Sequence, residues 1–548
     1  MYVLQIVNCE KYSAMSYRNK TRVLGIDSLR GIIQDCNGLV IADNRMHYRV
    51  ICYPNKLGNK QEFLTTLFDV LPEMLTHQEW TENSIYNNNR SSFVLIKHAD
   101  WSTVIKIEMH FSEEKGIEVE KMYKRFYPYS GLCAHILGYL SKSDPKKHEN
   151  QYIGKAGVEY IYDDGLQGVT GKIKYEVNHK GRIIKEVENI PPIPGKTLNL
   201  SIDILLTQYV YRCLQLQKRY KSASVVIIDA QSGEIKSLVS IPSYDNNLFS
   251  NSINNTEWKS LETSLFHRAV ALRVAPGSTF KLITALLALE QGIIDPNNTL
   301  SYCRGKVLIG DRYFKCWKHS GHGYVNLDRA LASSCNIYFY DLAKKVNVDN
   351  LLSIAGCFHV HKNKSAIGLI EELGSVIPDK LWRMQYLNDS WYLGDTVNLL
   401  IGHGYILTTP LQLAIMTARI ASGKEIIPSV LQNNNSNKLV PIEVLETNLN
   451  IIRKAMYNSV NAPYGTAYDC RLKSIDFAGK TGTVQIFSSH NKDIKGSLPY
   501  HSLFIGYAPY FNPRYAVSIV LERGGFGKQS AFVANRIFNY MYQKGYFN

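Results

Sequence analysis

At 548 residues the chain is long enough for two or three domains with a large core, and its 45% hydrophobic and 20% charged residues are globular proportions. The net charge of +15 suits an anionic surface such as a membrane face, or follows from a lysine-rich genome; no zinc-finger spacing and no basic heptad helix points to nucleic acid. No apolar run reaches membrane-spanning length, and no charged start with an apolar core marks a signal peptide.

In chain order, residues 1 to about 195 mix short strand-like runs with polar loops, and Gln61–Met74 has the pattern of an amphipathic helix. Pro191-Pro192-Ile193-Pro194-Gly195 is a stiff linker and places a domain boundary there. A hairpin follows, with strands Ser224–Ala230 and Glu234–Ile241 around a turn at Gln231-Ser232-Gly233. Leu282–Leu289 is apolar almost all round, which predicts a buried central helix; Pro276 lies near its start and Gly292 just past its end. Three more strands are expected at Phe477–Phe487, Ser502–Tyr507 and Tyr515–Glu522, then a helix over about Ser530–Gln543. Strands from both ends with helices between them predict an α+β class, an antiparallel sheet covered on both faces.

Three short motifs carry chemistry. Lys480-Thr481-Gly482-Thr483 lies in a β-branched run, and an ammonium beside two hydroxyls and a bare glycine makes a cationic shelf for a carboxylate. Ser278-Thr279-Phe280-Lys281 opens the central helix, which predicts Ser278 in its first turn with Lys281 on the same face. A serine hydroxyl needs a base in contact, and a lysine serves when burial and a neighbouring cation favour its neutral form. The helix N-terminus supplies N–H groups for an oxyanion. In Ser334-Cys335-Asn336, Ser334 can relay a proton between Lys281 and a leaving amine, and Asn336 can hold a substrate amide. The ordinary alternatives are a helix N-cap serine at 278 and a surface strand lysine at 480. Ser143-Asp144-Pro145-Lys146 and Ser489-His490-Asn491-Lys492 repeat the Ser-x-x-Lys spacing but lack a helix to open.

These motifs, in this order, resemble the signature of the penicillin-binding proteins, shared with class A β-lactamases. Arg30-Gly31-Ile32-Ile33-Gln34-Asp35-Cys36-Asn37-Gly38 is similar to a stretch of the class B enzymes, with Cys36 in place of an arginine. Gly157-Val158-Glu159 and Gly165-Leu166-Gln167-Gly168 match their pedestal, and Asp229-Ala230-Gln231-Ser232-Gly233-Glu234 with Pro242-Ser243-Tyr244-Asp245 match the start of their transpeptidase domain. Gly402-His403-Gly404-Tyr405 and Thr409-Pro410-Leu411-Gln412 match a late motif, with His403 where glutamine is usual. Trp317, Gly321-His322-Gly323 and Glu522-Arg523-Gly524-Gly525 point to the elongation-specific branch. The resemblance implies a pedestal or dimerisation domain over 1–195 with an inserted head at about 55–150. It also implies a transpeptidase domain over 196–548 with a five-stranded antiparallel sheet covered by helices.

The activity so implied is DD-transpeptidation of peptidoglycan stem peptides in lateral wall elongation, open to inhibition by β-lactams. Ser278 is then the nucleophile and Lys281 its base; the N–H groups of Ser278 and Thr483 form the oxyanion hole, and Lys480, Thr481 and Thr483 hold the substrate carboxylate beside Gly482. Expected partners are stem peptides or their lipid-linked precursor and a membrane-embedded glycan polymerase. The expected location is the periplasmic face of the bacterial inner membrane, with the anchor upstream of Met1 or degraded. A DD-carboxypeptidase, a β-lactamase-like hydrolase, or a non-catalytic scaffold or β-lactam sensor are the alternatives; the long region before the linker disfavours the hydrolases, and intact motifs disfavour a dead scaffold.

Of the ten cysteines, Cys303, Cys316 and Cys335 share a segment with His322. Three thiolates and an imidazole make a closed tetrahedral shell for a structural zinc ion, and Cys335 is expected to face away from the cleft, bracing the loop from behind. Metal ligands fall at the matching positions in several members of the elongation-specific branch. The alternatives are buried small hydrophobes or a Cys303–Cys316 disulfide, and His319 is a spare ligand candidate.

Overall fold

Two sets of β-branched residues, far apart in the chain, build one sheet. The computed structural model describes residues 20–87, 92–112, 116–142, 152–177, 183–216, 220–250, 253–296, 301–360, 367–433, 440–486 and 500–548. The alternative motifs at 143–146 and 489–492 lie outside these residues. Strands β1 (Ser222–Asp229) and β2 (Ile235–Ile241) form the expected hairpin. β3 (Ala478–Gln485), β4 (Tyr500–Ala508) and β5 (Tyr515–Glu522) complete a five-stranded sheet in the order β2-β1-β5-β4-β3, antiparallel throughout. β3 is therefore an edge strand.

Helices cover both faces, which is why the strands read as continuous apolar runs and not as alternating ones. On one face α1 (Ile204–Gln215) and α7 (Lys528–Gln543) pack Leu206, Val210, Ile537 and Phe538 against Val225, Ile227, Val517 and Ile519. On the other lie α2 (Lys281–Glu290), α5 (Pro410–Ser422) and α6 (Glu446–Asn461). α5 starts on a capping box between Thr409 and Gln412 with Pro410 in its first turn, and stops at Gly423, whose φ is +70°. Every residue of α2 from Lys281 to Leu289 is buried. One detail differs from the sequence reading. Ser278 sits in a separate 3₁₀ turn, Gly277–Thr279, before α2 begins at Lys281, because Gly277 takes φ +54° and tightens the entry.

Packing divides the chain into two units: Met1–Ile32, Ala42–Pro128 and Asp164–Thr197 in the first, Ile33–Ile41, Tyr129–Asp163 and Leu198–Asn548 in the second. In the first, Thr21–Ile26, Gly171–Val177 and Ile183–Ile190 form an antiparallel sheet. A second layer pairs Val40–Cys52 with Phe93–Ala99 and Ile117–Phe126, backed by helices Lys60–Val70 and Trp101–Phe111. The helix expected over Gln61–Met74 ends at Val70 because Pro72 cannot continue it. The two early excursions join the second unit for physical reasons. Ile33–Gln34 pairs in parallel with Leu198–Asn199. The buried Asp35 carboxylate accepts from the N–H groups of Asn37, Leu39 and Ile204. Tyr244 Oη and Asn246 Nδ2 donate to the carbonyls of Ala134 and Gly138 at 3.0 and 2.5 Å. Among the described residues no helix is long and apolar enough to cross a membrane.

Ile519, fully buried on β5, tests the sheet core. Ile519→Ala is expected to cost about 2–5 kcal/mol, read as a lower urea midpoint in chemical denaturation.

Candidate active site

The Ser278 turn reaches the sheet through glycines. Gly277 N–H donates to Gly402 O at 2.9 Å. A Cβ on Gly482 would lie 3.2 Å from both Pro276 O and Thr279 Cγ2, and one on Gly277 would lie 2.9 Å from Val484 Cγ2. Only small residues let the turn and β3 approach this closely. Ser278 is half-buried and is not a helix cap: α2 is capped by Phe280, with no side-chain bond.

Behind the turn, Lys281 is fully buried. Its Nζ donates to Asn336 Oδ1 at 2.7 Å, to Ser334 O at 3.0 Å and to Ser334 Oγ at 3.4 Å. Asn336 opens helix α4 (Asn336–Leu342), and its Nδ2 donates to Lys315 O. Ser334 takes φ +56°, a left-handed conformation that costs a serine about 1–3 kcal/mol and is typical of functional sites. Lys480 is also fully buried; its Nζ donates to Thr481 O at 3.3 Å. Burial lowers the pKa of Lys281 to about 8. Burial, then the Lys281 charge, holds Lys480 well below the usual lysine range. The lysine of one motif thus lies within electrostatic reach of the next, and the Ser278 turn lies against Gly482, Thr483 and Val484.

The strand hydroxyls are oriented by groups that carry no motif. Thr481 Oγ1 lies 2.7 Å from Thr466 Oγ1, so the pair keeps one O–H for a further acceptor. Thr483 Oγ1 accepts from Gly527 N–H at 2.9 Å, which leaves its hydrogen free to donate. Thr466 and Gly527 escape a sequence reading because they touch β3 only after the chain folds back.

On the far side of the Ser334-Cys335-Asn336 loop, the ligand atoms of Cys303, Cys316, His322 and Cys335 all lie within 4.8 Å of one another. His322 Nδ1 is 3.6 Å from Cys303 Sγ and 3.5 Å from Cys316 Sγ. Tetrahedral zinc with bonds of about 2.3 Å to sulfur and about 2.0 Å to nitrogen requires sulfur–nitrogen separations of about 3.5 Å. The donor set therefore fits the ion. Donation from Cys335, His322 and Asn336 N–H lowers the Cys316 thiol, while its neighbour Cys335 is raised by the same contact. Trp317 packs edge-on against His322 and donates to Ser333 O. Cys335 is fully buried. The nine described cysteines are free, so Cys303 and Cys316 form no disulfide, and His319 lies outside the cluster.

Residues 223–543 match the penicillin binding protein transpeptidase domain, and residues 25–200 match the penicillin-binding protein dimerisation domain. The chain belongs to the penicillin-binding proteins. This penicillin-binding protein is 31% identical to the peptidoglycan D,D-transpeptidase MrdA of Salmonella typhimurium, over 99% of its own length and 92% of the relative's. The Escherichia coli MrdA is 30% identical, with 99% and 90% covered. A complex between PBP2 and MreC from Helicobacter pylori matches with a TM-score of 0.84 at 27% identity, covering 96% of this chain and 99% of that one. Pseudomonas aeruginosa PBP2, solved with WCK 5153, gives 0.68 at 27% identity, with 94% and 96% covered. These relatives place it in the class B, PBP2 branch.

With neutral Lys281 as the base, acylation of this penicillin-binding protein follows the neutral fraction of that amine. The rate with a fluorescent penicillin is expected to rise about tenfold per pH unit between pH 6 and 7 and to level off above about 8. Stopped-flow labelling across that range checks it.

Proposed function

We propose that this penicillin-binding protein is a serine DD-transpeptidase that crosslinks peptidoglycan stem peptides during lateral wall elongation. The observation that carries the reading is the buried Lys281 ammonium, held on Ser334 and Asn336 behind the Ser278 turn and within reach of Lys480. Ser278 Oγ attacks the carbonyl between the two terminal D-alanines, and its proton passes to Lys281 Nζ. The oxyanion is stabilised by the N–H groups of Ser278 and Thr483. The peptide C–N bond breaks as Lys281, through Ser334 Oγ, returns the proton to the departing D-alanine. Lys480 and the Thr481 and Thr483 hydroxyls hold the terminal carboxylate, and Asn336 a substrate amide. An amine of a neighbouring stem then attacks the ester, its C–N bond forms, and Ser278 leaves with a proton. Edge strand β3 pairs with the extended donor peptide by strand addition.

The region matching the dimerisation domain supports a transpeptidase over a carboxypeptidase or β-lactamase, which need no pedestal. A protein like the MreC named in the Helicobacter pylori complex, and a membrane-embedded glycan polymerase, are its partners in this reading. It works at the periplasmic face of the inner membrane. A fluorescent penicillin is expected to label the wild type and not Ser278→Ala; equal labelling of both would falsify the assignment of the nucleophile.

Cys303, Cys316, His322 and Cys335 are proposed to hold a structural zinc ion, closed to substrate, which ties the Ser334–Asn336 loop to the segment from Cys303 to His322. Metal analysis is expected to return about one zinc per chain, reduced in Cys303→Ser. A metal content near zero in protein that still binds penicillin removes the proposal.

A further inference from the structure

We propose that His403 is a catalytic residue of the second half-reaction, the proton acceptor for the incoming amine. The inference rests on the transpeptidase reading and deepens it. His403 lies in a loop that presses on the nucleophile turn. Gly402 O accepts the Gly277 N–H at 2.9 Å, and a Cβ at Gly402, where φ is +73°, would fall 2.1 Å from Gly277 O. Only glycine closes this contact, so position 403 is delivered to the residue before Ser278.

The ring's orientation is fixed. The backbone N–H of His403 donates to Asn398 O at 2.9 Å, and ring Nδ1 lies 3.0 Å from Ile401 O. A carbonyl only accepts, so Nδ1 carries the hydrogen and Nε2 of the neutral ring carries a lone pair. Cε1, bonded directly to Nε2, lies 3.8 Å from where a Cβ on Gly277 would stand. Burial, joined by the Lys281 charge and opposed by the bond to Ile401 O, keeps the ring below the usual histidine range and so neutral near pH 7. The other groups around the Gly277 position, Val484 and the Thr483 carbonyl, bring no charge.

The chemistry left over after acylation fits this group. The amine must lose a proton as its bond to the acyl carbon forms, and Ser278 Oγ must gain one as the ester C–O bond breaks. His403 Nε2 takes the proton from the attacking nitrogen and returns it to Ser278 Oγ, so atoms and charge balance without a further reactant. Lys281 remains held on Ser334 and Asn336 meanwhile.

The test compares the full chain with His403→Gln and His403→Ala in two measurements: acylation by a fluorescent penicillin, and acyl transfer from a D-alanyl thioester donor to D-alanine as the amine. Acyl transfer is expected to fall about tenfold or more while acylation falls less than about threefold. The ratio of wild-type to His403→Gln transfer rates is expected to fall at acid pH, where the ring protonates; the limbs set by Lys281 and by the amine are common to both and cancel. Equal losses in both steps, no loss, or a ratio independent of pH would each overturn the inference. Intact acylation in a variant also reports a folded site. Failure of the wild type itself to be acylated at Ser278 would strike the transpeptidase reading instead.

Discussion

Two fully buried lysines lie within electrostatic reach of each other, and neither forms an ion pair among the described residues. Lys281 and Lys480 are fully buried, and their polar contacts are to carbonyl and hydroxyl oxygens. Two ammonium charges in a medium of low polarity raise each other's energy and lose their hydration as well. The lowest-cost solution divides the roles. Lys281, lowered to about 8, gives up its proton easily, as the proposed base must. In the proposed mechanism Lys480 takes full charge when a substrate carboxylate arrives and supplies the countercharge which the protein withholds.

The fold brings the two amines together with small residues and not with a dedicated loop. Segments near 277, 402 and 482 are far apart in sequence. They touch because glycine stands at each contact: Gly402 against the Gly277 carbonyl, Gly277 against Val484, and Gly482 against Pro276 and Thr279. A Cβ at Gly402 would close on backbone, which cannot yield as a flexible side chain does. The wholly buried α2 and the five-stranded sheet then hold these contacts in register. β3 sits at the sheet's edge, so the groups proposed to bind substrate and a backbone free to pair with it lie on the same strand.

Much of this was legible in the chain. The hairpin, the three later strands and the buried helix are local patterns, and local patterns survive folding. The motifs of the site were legible for the same reason, since each is contained within four residues. The parts that were not legible depend on contacts between distant segments. The 3₁₀ turn at Ser278 follows from the positive φ of Gly277, which the Gly402 contact holds. Thr466 orients Thr481 across a fold-back that no spacing records. Within the excursion at Ile33–Ile41, Ile33–Gln34 pairs with Leu198–Asn199, so an early strand finds its partner just past the linker read as the end of one domain.

The loop Ser334-Cys335-Asn336 joins the catalytic amine to the thiol cluster. Ser334 and Asn336 turn their oxygens onto Lys281, while the side chain between them enters the group of Cys303, Cys316 and His322. Asn336 takes part on both sides: its Oδ1 accepts from Lys281, and its N–H donates to Cys316 Sγ at 3.4 Å. Ser334 reaches its position only in a left-handed conformation, which is held when both flanks of the loop are fixed. The cluster therefore bears on Lys281 through geometry: it holds Cys335, the residue between the two whose oxygens accept from that amine.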